Sequence, residues 1–356
     1  MTRRGARSLL VLAVALAALG ALLHGQRPEP PGQETFRFTG SVDLVTVYAT
    51  ITDANGRFVS GLRKEDFAVY EDDQRIDVAQ FSIDRVPVSL AVALDTSESM
   101  TGDKIKAARR AIERLLRDLV GREDRILLYR FGDLPILVQD WTSDRQLLER
   151  ALERIEPAGA TAMYDTIAQV LPLLDEGRNP KKALLVVSDG NDTSSSIEVP
   201  DLRQRIRASE ALVYAVGIDG PPVSTFRLPS RRQRPLPPRV PIPFTPGRRG
   251  RAGLFQLLPA AQGVDGNRGS SPARRADPAN VAALRDMTDD SGGRTEVIRD
   301  ARELERAVAG IADELGRQYS LAYSSPAHRD GQWHSIRVEV PEPAYHVRAR
   351  RGYVAN

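Results

Sequence analysis

Apolar and polar positions alternate with a period of two from Thr35 to Val86. Val42, Leu44, Val45, Val47, Ala49 and Ile51 form one run, Phe67, Val69 and Tyr70 a second, and Ile76, Val78, Phe81 and Ile83 a third. Asp53-Ala54-Asn55-Gly56 and Glu71-Asp72-Asp73-Gln74 separate the runs with hairpin-turn chemistry. The period then changes. Val88 to Leu94 is an unbroken apolar run, residues 104–119 repeat apolar positions at helical spacing, and Ile126 to Phe131 reads as a strand. Strands at Ile136–Val138, Ala183–Val187, Leu212–Val216 and 294–298 follow, with helices at 144–155, 163–175, 200–208, 279–288 and 301–316. Buried strands alternating with amphipathic helices predict an α/β fold, a doubly wound and mostly parallel sheet covered on both faces. The last forty residues return to period two in Tyr319-Leu321-Tyr323, Ile336-Val338-Val340 and Val347–Tyr353. The four strands at most of 35–86 are too few to stand alone. They are therefore expected to pair with the C-terminal ones in a small β-sandwich into which the α/β domain is inserted.

Two segments fall outside these periods. Arg3, Arg4 and Arg7 precede the uncharged run Ser8–Leu23, the layout of an export signal, expected over residues 1–25 with a linker at 26–34. The alternative is an uncleaved membrane anchor. Residues 221–278 are rich in Pro and Arg, and 221–280 hold eleven arginines against Asp265 and Asp277. The net charge of +3 thus hides an acidic remainder and one basic insertion, which reads as a disordered linker without a specific nucleic-acid partner. The expected organisation is a signal at 1–25, sandwich strands at 35–86, the α/β domain at 87–316, and sandwich strands again at 317–356.

Cysteine is absent, which excludes disulfides, thiolate metal sites and a cysteine nucleophile, and there are only four histidines. The apolar run ending at Leu94 opens into Asp95-Thr96-Ser97-Glu98-Ser99 just before a helix. A carboxylate and two hydroxyls at alternate positions on such a turn are hard oxygen ligands suited to Mg²⁺, and they are equally ordinary helix caps. Thr161, in the loop before helix 163–175, and Asp189, at the end of strand 183–187, fall on the same carboxyl edge of the sheet, where ligands bind in such folds.

Asp95-x-Ser97-x-Ser99, Thr161 and Asp189 in this order resemble the metal-ion-dependent adhesion site of von Willebrand factor A domains. The resemblance spans about Pro87 to Leu315. It implies a site held by Asp95, Ser97 and Ser99 in a first loop, Thr161 in a second and Asp189 in a third. It further implies Mg²⁺ as the cofactor, with Mn²⁺ or Ca²⁺ possible, and a protein partner that supplies an Asp or Glu carboxylate. The flanks, Asp53–Arg57, Gly61–Phe67, Tyr70-Glu71-Asp72, Tyr319–Tyr323 and Arg351-Gly352-Tyr353, look like a bacterial secreted subgroup of these proteins.

The implied function is an exported binding or adhesion protein of the periplasm, cell surface or exterior, and not an enzyme. Membrane contact is expected only through the N-terminal segment. An envelope assembly component with a merely stabilising metal is the alternative. A metal-dependent hydrolase is disfavoured because no His-Glu-x-x-His or Gly-x-Ser-x-Gly motif is present. Glu98, Asp192 and Ser194 are candidate partner-binding residues. Glu98 is expected to point to solvent, and the loop at 192–196 either extends the site or is simply a polar connection.

Overall fold

All eight residues of Val88–Asp95 (β5) are buried, as an apolar run at the centre of a parallel sheet must be. The computed structural model describes residues 44–189, 192–218, 281–327 and 329–355. The expected signal, the linker, residues 35–43 and the Arg/Pro-rich insertion lie outside the described residues, as does His328.

Around β5 run Arg125–Phe131 (β6), Pro135–Thr142 (β7), Lys181–Ser188 (β8), Leu212–Ile218 (β9) and Thr295–Ile298 (β10), in the sheet order β10-β9-β8-β5-β6-β7. Every pairing is parallel except β6 with β7, which forms an antiparallel edge. Alternation along β5 divides the core. Leu90, Val92 and Leu94 face helices Asp103–Arg114 (α1), Arg145–Glu153 (α2) and Leu304–Arg317 (α6). Ala91 and Ala93 face Met163–Asp175 (α3), Val199–Ala208 (α4) and Val281–Ser291 (α5). The doubly wound sheet expected from the sequence is therefore present. Residues 115–119, expected to continue the first helix, instead form a π-helical turn in which Val120 N–H donates to Leu115 C=O at 3.0 Å.

Strands from the two ends of the chain do build a sandwich. Leu44–Thr52 (β1), Gln80–Ser82 (β4), Tyr319–Ser324 (β11) and His346–Arg348 (β13) make one sheet, in the order β13-β1-β11-β4. Ala68–Glu71 (β2), Gln74–Ile76 (β3), Trp333–Glu339 (β12) and Gly352–Val354 (β14) make the other, in the order β14-β12-β2-β3. Val47, Ile51, Val69, Leu321 and Tyr323 fill the space between them. Two runs read as single strands each divide between the sheets. Residues 76–83 split into β3 and β4, and 347–353 into β13 and β14.

The sandwich is joined to the α/β domain by buried polar groups. Glu314 on α6 accepts from Thr50 Oγ1 on β1 at 3.3 Å, Tyr214 OH on β9 at 3.0 Å and Arg294 Nε at 2.9 Å, and it pairs with Arg348 on β13. Lys181 donates to Leu315 C=O at 2.9 Å and lies over the Tyr48 ring, and burial pulls its pKa down to about 8.

His334 on β12 sits between two carboxylates, with Nδ1 2.7 Å from Asp72 and Nε2 3.3 Å from Asp330. The Asp72 hydrogen bond, the larger cause, raises its pKa above the ordinary 6.5. A raised histidine stabilises the fold fully below the unfolded value and ceases to do so as pH rises through the folded one. Both carboxylates are exposed, so the gain is small, below about 1 kcal/mol. The urea midpoint is expected to fall slightly as pH rises above about 6.5, and His334→Gln to flatten that slope.

Candidate metal centre

Parallel pairing of β5 with β8 sets Leu94 beside Val187, so both strands deliver their next residues to the same edge. Asp95, fully buried, accepts Ser97 N–H on Oδ1 at 2.8 Å and the Ser188 hydroxyl on Oδ2 at 2.5 Å. The Ser97 and Ser99 hydroxyls lie 2.9 Å apart, and Ser99 donates to Asp189 Oδ1 at 2.7 Å. Asp95, Ser97, Ser99 and Asp189 thus form one hydrogen-bonded chain across two loops.

Thr161 reaches the same edge through its loop. Ala158 N–H donates to Thr96 C=O at 2.6 Å, Glu98 N–H to Gly159 C=O at 3.0 Å, and Ala162 N–H to Gly132 C=O at 2.8 Å. Thr161 itself is only 5% exposed, and its hydroxyl has no hydrogen-bond partner among the described residues. Two glycines permit this closeness. A Cβ on Gly132 would sit 2.4 Å from Ala158 C=O, and Gly159, at φ +85°, would bring one 2.4 Å from the Asp133 carboxylate.

Burial is the main reason that the Asp95 carboxyl is raised to about 6, and the charge of Asp189 adds to it. The hydrogen bonds from Ser188 and Ser97 oppose the shift. Two carboxylates and two serine hydroxyls therefore converge, with Thr161 on the adjoining loop, where no cage of three Asp, Glu or His side chains exists among the described residues. Such a set is all hard oxygen.

Of the proposed partner-binding residues, Glu98 is exposed at the rim, as expected, and Ser194 is exposed. Asp192 is committed to local structure. It accepts Tyr164 N–H at 2.8 Å, Ser195 N–H at 3.0 Å and the Ser195 hydroxyl at 2.6 Å, tying its loop to the start of α3. Sequence reasoning missed three residues. Ser188 lies in the apolar strand, Asp133 accepts Ala160 N–H at 2.7 Å, and Lys104 forms an ion pair with Asp189. Only Lys104 left a trace in the sequence, as a cation in the first turn of a helix, where the backbone dipole disfavours it.

Residues 90–191, which hold most of β5, all of β6 through β8, and Asp95, Ser97, Ser99, Thr161 and Asp189, match the family model of the von Willebrand factor type A domain. This segment is a von Willebrand factor type A domain. The chain also aligns with inter-alpha-trypsin inhibitor heavy chain H2 of Sus scrofa, 25% identical over 155 residues, covering 38% of this chain and 16% of that protein. The match to the human protein is 25% identical over 141 residues, covering 35% of this chain and 14% of its counterpart. The chain therefore matches only a small part of these relatives' length. Among solved structures, a von Willebrand factor type A protein from Catenulispora acidiphila is 13% identical, covers 82% of this chain and 74% of its own, and superposes with a TM-score of 0.45.

Proposed function

We propose that the chain is a metal-dependent protein-binding module that acts outside the cytoplasm. In this reading Mg²⁺ is held by Asp95, Ser97, Ser99, Thr161 and Asp189. The observation that carries it is the hydrogen-bonded chain that runs from Asp189 through the Ser99 and Ser97 hydroxyls and the Ser97 N–H to Asp95, a fully buried carboxylate with no cationic partner among the described residues. Burial opposes the ionised form of that group, and a divalent cation reverses the penalty. Two carboxylates with three hydroxyls suit Mg²⁺ or Mn²⁺ better than Ca²⁺, which takes about six to eight oxygens.

When bound, the ion supplies a Lewis-acidic point for an acidic side chain of a partner protein. One such bond is a small anchor, so the remaining affinity rests on the rim. Glu98, Ser194 and the exposed Leu134, beside Asp133, provide that rim. Binding is preferred to catalysis because the two histidines the structure describes, His334 and His346, both lie on sandwich strands and cannot serve as a base at the site. The basic-then-apolar N-terminus supports export.

Calorimetric titration of Mg²⁺ into the full chain tests the reading. Saturable binding near one ion per chain, reversed by EDTA, is the expected result, and no binding by the folded protein overturns it.

A further inference from the structure

Lys104 is the feature of the site that its oxygen ligands do not explain. It is the second residue of α1, half-buried, and its ammonium pairs with Asp189, whose side chain is fully buried. A lysine in the first turn of a helix opposes the backbone dipole, so its position is maintained by that carboxylate and not by the helix.

The other carboxylates of these loops are fixed by contacts of their own, which hold them in place without cancelling their charge. Asp133 and Asp192 accept backbone N–H groups, as does Asp165, from Ser196 and Ile197, and Glu98 is exposed to water. Asp95, Asp189 and Lys104 are the charged groups of the hydrogen-bonded chain itself. With both carboxylates ionised the three sum to one negative charge, and a divalent cation turns that into one positive charge. Without the lysine the loaded centre would be neutral.

We infer that Lys104 is a charge-setting residue of the metal centre: it weakens cation binding and leaves the loaded site with one surplus positive charge, matched to a single carboxylate. The inference rests on the proposed metal reading and names what that reading leaves open, the charge of the ligand the loaded site accepts. The ammonium is held on Asp189 Oδ2 while Oδ1 accepts from Ser99, so a divalent ion bound by Asp189 would share the carboxylate with the ammonium or displace it. The surplus charge then favours a monoanion over a neutral group or water.

Mg²⁺ titrations of the full chain, Lys104→Met, Lys104→Gln and Lys104→Arg, each with and without acetate as the carboxylate probe, test it. Met and Gln are expected to tighten Mg²⁺ binding by about tenfold or more. Acetate is expected to raise the Mg²⁺ affinity of the parent chain and of Lys104→Arg, and to have little effect on the two neutral variants, because coupling between the two ligands is reciprocal. Unchanged or weaker Mg²⁺ binding by folded Met and Gln variants would make the lysine merely structural and overturn the inference while leaving the metal site standing. An equal acetate effect in all four proteins would overturn the surplus-charge assignment. Failure of the parent chain to bind Mg²⁺ would overturn the metal reading, and the inference with it.

Discussion

Asp95→Asn is expected to abolish Mg²⁺ binding and, in the absence of metal, to make the protein more stable at neutral pH. The two effects have one cause. Asp95 is fully exposed to water when the chain is unfolded and fully buried when it is folded, and its pKa rises from 3.8 to about 6. Between those values the folded state holds the extra proton, so stability falls as pH rises through that window and the penalty is complete at pH 7. The shift corresponds to about 3 kcal/mol at most. Asparagine keeps an oxygen to accept Ser97 N–H and removes the charge, whereas alanine would leave that buried N–H unpaired.

In EDTA the Asn variant should therefore melt above the parent at pH 7, and the difference should shrink toward pH 5. With Mg²⁺ the order reverses, because the parent gains stability by mass action and the variant, its affinity lower by about two orders of magnitude or more, does not. Thermal melts at two pH values with Mg²⁺ or EDTA read all four terms. A variant that is less stable than the parent in EDTA at pH 7 would show that the Asp95 charge is neutralised inside the protein without metal.

The site was legible wherever its chemistry is local. Asp95, Ser97 and Ser99 lie within five residues of a strand-to-helix change that hydrophobic periodicity marks clearly, Asp189 follows a later buried strand, and Thr161 sits just before a helix. What was hidden depends on register and reach. Ser188 looks like the polar end of an apolar strand until pairing of β8 with β5 sets it beside Asp95. Lys104 is one of several cations on a helix until Asp189 arrives from across the sheet, 85 positions away in sequence. Asp192 reads as a free rim residue because nothing local shows that Tyr164 N–H needs an acceptor.

The fold follows the same rule. Period two gave the sandwich strands but not the sheet each joins. Residues 76–83 and 347–353 keep their alternation while the chain crosses from one sheet to the other, with no Gly-Pro or Asn-Gly signal at either crossing. Residues 115–119 likewise keep helical spacing, and side-chain spacing barely distinguishes a bond to the fifth preceding residue from one to the fourth.

Asp124→Ala is expected to be the most destabilising single substitution away from the site, at about 3–5 kcal/mol. The Asp124 side chain is fully buried immediately before β6 and accepts four donors. These are Arg85 Nη1 at 3.1 Å, Arg85 Nη2, Val88 N–H at 2.9 Å and Gly121 N–H at 2.6 Å. Arg85 belongs to the connection between the last N-terminal sandwich strand, β4, and β5. One carboxylate thus fixes the chain as it enters the A domain, starts β5 in register with β6, and closes the turn at Gly121. Alanine leaves the buried Val88 N–H, the half-buried Gly121 N–H and a guanidinium without this acceptor together. Asp124→Asn keeps one oxygen and should lose roughly half as much. Arg85→Met should lose less again, because the arginine is partly exposed and the two backbone donors remain to hold the carboxylate. Asp124 stands at the amino-terminal end of the strands and Asp95 at the carboxyl end of β5, on opposite edges of the sheet and about 20 Å apart by strand rise. The urea midpoint should therefore fall steeply in Asp124→Ala while the Mg²⁺ affinity of the folded protein stays at the parent value. A loss below about 1 kcal/mol would mean that water reaches the junction and pairs with the donors in place of Asp124.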